Sequence, residues 1–128
     1  MQDLPETRDI LQAVAAWIRD EALPQLPSHA AFQARVAANA LDLVRRELCR
    51  PEAVHIDEVA RLERLTGQTG SISVMTETLS ARLRDGSFNI ETPGLIDHLW
   101  ATTLDKMAVD QPAYAAYQRA LVAASQTD

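Results

Sequence analysis

Between Ser28 and Cys49 apolar residues recur at helical spacing without interruption. Phe32, Val36, Ala40 and Leu43 form one row, and Ala37, Leu41, Val44 and Leu48 form a second row beside it. Two adjoining rows make an apolar face wide enough for the centre of a helical bundle. Ser28 is suited to cap the helix, and Pro51 stops it, because the residue before a proline is pushed out of the α region. Arg35 and Asn39 stand one turn apart within this face. Asn is a mediocre helix former, so a mid-helix Asn there calls for a partner. The pattern predicts a buried hydrogen-bond network that fixes helix register.

The same periodicity predicts the rest of the chain. A first helix starts between Pro5 and Arg8 and runs to about Ala22, with Ile10, Val14, Trp17 and Ile18 as its apolar stripe. Pro24 and Pro27 make a short, stiff connection. After Pro51, the residues Ile56, Val59, Leu62 and Leu65 mark a short amphipathic helix closed by Gly67. Ser71 or Ser73 caps a helix carrying Ile72, Met75, Leu79 and Leu83, which ends at Gly86. Phe88 and Ile90 plug the core from a loop. Thr92 and Pro93 start a fifth helix running to about Val109, with Ile96, Trp100, Thr103 and Met107 inward. Asp110 caps a last helix that begins near Pro112 and carries Tyr114, Tyr117, Leu121 and Val122, and the final residues fray. No strand pattern and no internal repeat is present. The expected fold is all-α: one domain over residues 1–128, an antiparallel bundle of four main helices plus one or two short ones.

Composition narrows the function more than it names it. A chain of 128 residues with 47% hydrophobic and 23% charged residues can bury a core without disulfides or a structural metal. The net charge of −6 argues against a general affinity for nucleic acid or an anionic membrane. Cys49 is the single cysteine, so no internal disulfide can form, and a buried or half-buried structural role is expected for it. The opening MQDLPETRD has no apolar signal segment, and no apolar run is long enough to span a bilayer. These features point to the cytoplasm.

Chemistry is sparse. Glu52 and His55 form one Glu-x-x-His pair, but the second pair that a di-iron bundle needs is missing, and there is no zinc motif. His98 has Asp97 beside it but no ligand one turn away. No nucleophile elbow, phosphate loop or dinucleotide fingerprint is present, so no cofactor is expected. The helix–turn–helix from Asp57 to Gly86 carries Arg82 and Arg84, but its turn is long and Glu77 sits mid-helix, which leaves a DNA-binding regulator as the weakest reading. The remaining candidate is a polar cluster of Arg35, Asn39, Lys106 and Asp110. Lys106, the only lysine, and Asp110 lie one turn apart. The four serve either as a structural network or as a ligand pocket.

FQARVAANAL (Phe32–Leu41), TTLDKMAVDQPAY (Thr102–Tyr114) and the N-terminal ILQAVAAWIRDEALPQL resemble a family of small uncharacterised all-helical bacterial proteins. Such proteins are often encoded beside aminoglycoside-phosphotransferase-like kinases and acyl-CoA dehydrogenases. The resemblance implies an all-α fold and an enzyme partner of one of those kinds, and it carries no catalytic residues. The leading expectation is therefore a non-enzymatic accessory or interaction protein. The alternative is a small enzyme or acyl/phosphate-ligand binder using the polar cluster. The aromatic and leucine residues spread over every helix also predict a homodimer through one helix face.

Overall fold

The structure is a computed structural model that describes residues 4–126. It is all-α: six α-helices and no strand occur among the described residues. They are α1 (Thr7–Trp17), α2 (Ser28–Leu48), α3 (Glu52–Thr66), α4 (Ile72–Arg84), α5 (Leu95–Asp110) and α6 (Ala115–Ser125). A π-helical segment, Ile18–Ala22, and a short 3-10 turn, Leu23–Gln25, join α1 to α2. The helices fall into two compact units, Met1–Arg50 and Pro51–Asp128.

The first unit is a helical hairpin. α1 packs on α2 along a row of small side chains, and the buried residues of the pair are Ala15 and Ala38. Alanine lets two helix backbones come close, and it leaves little apolar volume between them. Ala31, Ala34, Ala38 and Leu41, spaced three or four apart, are the less exposed row of α2. The row expected inside, Phe32, Val36 and Leu43, lies at roughly the opposite side of the helix and is exposed. The expectation that it fills the core is corrected: the small-residue row is the one that meets α1. The ends differ as well. Pro27 is the N-cap and Ser28 makes no capping bond, while Cys49 is exposed, contrary to its expected burial.

The second unit holds the larger core. Leu62 of α3, Met75 and Leu79 of α4 and Leu95 of α5 are buried together, with Val59, Leu65, Ile72 and Phe88 packed around them. α3 packs on α4 and on α5, and α5 on α6. Gly67 ends α3 in the left-handed region at φ 67°, which a side chain resists. Ser71 caps α4 by accepting from the Val74 amide at 3.3 Å. Phe88 enters the core under the Arg82 guanidinium, 5.1 Å from the ring centre, whereas Ile90 is exposed rather than inserted. α5 starts later than expected: Gly94 is its N-cap, and the Thr92 hydroxyl instead accepts from the Asn89 amide at 3.0 Å in the preceding turn. Asp110 is the last residue of α5 and does not cap α6, whose N-cap is Tyr114. α6 continues to Ser125, into the tail expected to fray, and residues 127–128 lie outside the described ones.

Candidate functional site

Two polar arrangements stand out, one in each unit. In the hairpin the π segment matters first. Its Leu23 amide donates to the Ile18 carbonyl, a one-residue widening of the helix ladder of the kind often found at functional positions. Arg19 sits in this widened turn and donates to Asn39 Oδ1 at 2.9 Å and to Asp42 Oδ2 at 2.7 Å. Arg45 approaches the same carboxylate at 3.9 Å. Asn39 therefore has a partner, but that partner is Arg19 and not the neighbouring Arg35, and both Arg35 and Asn39 are exposed. The buried register network expected at this position is corrected to a polar bridge on one side of the hairpin. The physical reason lies in the helix face. The alanine row faces α1, which turns Asn39 to the flank where a long Arg19 side chain reaches it.

The other expected site residues lie in the second unit. Lys106 and Asp110 are exposed on α5, and no hydrogen bond or ion pair joins them. Arg35 and Asn39 thus belong to one unit and Lys106 and Asp110 to the other.

A partly buried polar cluster between α3 and α5 lies outside the expected site residues. Leu95, His98, Thr102 and Asp105 follow one another at helical spacing on α5 and form its inner row. The expected inner row is corrected: Ile96 and Trp100 are exposed. Trp100 and Met107 line a shallow apolar concavity of about 210 Å³ with Tyr114 and Tyr117. Within the inner row His98 is 4% exposed, and its Nδ1 is buried without a hydrogen-bond partner. Thr102 Oγ1 and Arg61 Nε are likewise buried and unpaired, while Arg61 reaches Asp105 at 3.4 Å. Burial pushes the His98 imidazole below its ordinary pKa of 6.5, the Arg61 charge pushes it the same way, and Glu58 opposes them. His98 is therefore neutral at neutral pH. Unpaired buried polar atoms are costly. The one legible signal was the spacing of His98, Thr102 and Asp105; the larger apolar side chains on the neighbouring face outweighed it.

Arg61 also borders a concavity of about 320 Å³ at the start of α5, with Arg64, Leu65, Pro93, Gly94 and Asp97. Two guanidiniums and one carboxylate there suit a small ligand carrying an anionic group and a hydrogen-bond donor. No group of three or more His, Cys, Asp or Glu placed to hold a metal occurs among the described residues. No described helix is long and apolar enough to cross a membrane.

Comparison with known sequences gives a match over residues 24–114 to a family described as a domain of unknown function, DUF6285. No curated protein and no solved structure matches the chain.

Proposed function

The chain belongs to the DUF6285 family, and from that premise we propose that it is a non-enzymatic accessory protein that works by binding another protein. One observation carries the reading. The hairpin holds most of its large apolar side chains outside, with Trp17 60%, Phe32 63% and Val36 52% exposed, while its buried residues are alanines. Isolated apolar residues on a surface are ordinary, but contiguous stripes mark interaction sites. The partner in this reading is a phosphotransferase-like kinase or an acyl-CoA dehydrogenase, seated on the outer edge of α2 at Phe32, Val36 and Leu43. The setting is the cytoplasm. Titration calorimetry of the purified chain against each enzyme tests it. Binding at micromolar strength or better, weakened about tenfold or more by Phe32→Asp, is the expected result. No heat with either enzyme at high micromolar concentration overturns the reading.

The concavity at Arg61 and Arg64 favours a second reading, a binder of a small acyl or phosphate compound. Inorganic phosphate and acetyl phosphate, titrated into the labelled protein, are expected to shift the amides of Gly94–Asp97 in NMR spectra. Shifts that persist unchanged in Arg64→Gln refute this reading.

A further inference from the structure

The Arg19 bonds to Asn39 and Asp42 mark one side of the hairpin as polar. At about 100° per residue, Ile10, Val14 and Trp17 lie roughly opposite Arg19 on α1. By the same count Val44 and Leu48 lie roughly opposite Asn39 and Asp42 on α2. The second side of the hairpin is thus apolar on both helices, and all five residues are exposed. Residues 10–17 contain no charged side chain at all. This side is distinct from the outer edge of Phe32, Val36 and Leu43.

We propose that the apolar side of the α1–α2 hairpin is covered by the same side of a second copy of this chain, the two hairpins forming a four-helix bundle. The area supports a second copy as the occupant. Five large side chains, each about half exposed, present on the order of 500 Å² of apolar surface, taking ~150–250 Å² for a fully exposed one. A stable interface removes about 800 Å² from each partner, of which the apolar centre is the larger part. The hairpin alone cannot supply that cover, because only Ala15 and Ala38 are buried in it. A two-helix face without charge is also self-complementary: placed against itself about a twofold axis, it meets apolar residues everywhere and leaves Arg19, Asn39 and Asp42 in water. Four helices around one apolar centre is the smallest arrangement that closes both hairpins.

The inference deepens the interaction reading above, in which the hairpin is a binding surface. Sedimentation equilibrium of the full chain tests it. The wild type is expected at about twice its 14.1 kDa at tens of micromolar. Val44→Asp is expected to give a monomer that keeps its helical circular dichroism, whereas Phe32→Asp on the outer edge leaves the dimer intact. Where Val44→Asp does not fold, Val14→Ser is the second variant, and a rise of about tenfold or more in the dimer dissociation constant is expected, since the loss counts twice in a symmetric pair. A wild type that stays monomeric at 100 micromolar, or a constant unmoved by Val14→Ser and Val44→Asp, overturns the inference. A monomer that still binds the kinase or dehydrogenase sinks the dimer alone; a dimer that binds neither enzyme sinks the accessory reading alone.

Discussion

His98 is the residue whose surroundings do most to set its behaviour. Its imidazole is buried beside Arg61, and both burial and that charge favour the neutral form. A folded pKa held below 6.5 means that the unfolded chain takes up the proton first as pH falls. Stability attributable to His98 is therefore complete above about pH 6.5 and is lost as pH drops towards the folded value. Urea midpoints of the wild type are expected to fall between about pH 7.5 and pH 5.5, and His98→Asn should flatten that fall. An equal slope in the variant would refute the assignment. Asn39 sits at the other extreme. It is exposed, and its partner Arg19 keeps Asp42 when Asn39 is removed. Asn39→Ala is expected to cost less than about 0.5 kcal/mol, whereas Asp42→Ala, which frees Arg19 from its shorter bond, should cost roughly 0.5–1 kcal/mol. A loss above about 2 kcal/mol for Asn39→Ala in urea unfolding would mean a buried network after all.

Helices are decided by the one face that finds a partner, and the two units use opposite solutions. In the hairpin the contact row is alanine apart from Leu41, so the limit is space. Ala38 is fully buried between the helices, and Ala38→Leu is expected to push them apart at a cost of about 1–3 kcal/mol. In the second unit the contact row is large and apolar, so the limit is volume lost. Leu62→Ala removes a fully buried side chain and should cost about 2–5 kcal/mol, while Ile56→Ala on the exposed side of the same helix should stay within about 0.5 kcal/mol. Chemical denaturation of these three variants distinguishes inner from outer rows directly. The end of α3 adds an independent check on backbone geometry. Gly67 has φ 67° and open space where a Cβ would stand, so Gly67→Ala pays only for conformation, about 1 kcal/mol.

For the molecule as a whole, the balance between buried and exposed apolar groups sets the expected behaviour. Leu62, Met75, Leu79 and Leu95 give the second unit a core of its own, while the hairpin keeps Trp17, Phe32 and Leu48 in solvent. A chain whose hairpin is completed by a second copy must become more stable with concentration, because mass action favours the associated folded state. A tenfold increase in protein is expected to raise the thermal midpoint by about 2–4 °C, a dependence that a monomer lacks. Scanning calorimetry over two decades of concentration measures it.

Some local features are legible in the order of residues alone, while the caps expected at Ser28, Thr92 and Asp110 fall instead to Pro27, Gly94 and Tyr114. The stop at Gly67, a serine cap on α4, which falls to Ser71 and not Ser73, and the break at Pro51 each depend on one or two residues and on the backbone beside them, and the all-α class on the periodicity of whole segments. Such effects act within a single turn, so a sequence states them without knowing what lies opposite. The choice of inner face was not legible. α2 and α5 each carry two apolar or mixed rows, and periodicity ranks rows by size, which favoured Phe32–Val36–Leu43 and Ile96–Trp100. The fold instead turned the alanine row of α2 towards α1 and the His98–Thr102–Asp105 row of α5 towards α3. Close helix approach is a property of a pair, and a hydrogen bond such as Arg19 to Asn39 needs two segments twenty residues apart to meet. Helix propensity is written in each segment, but the side that a helix hides is decided only by the element that comes to lie against it.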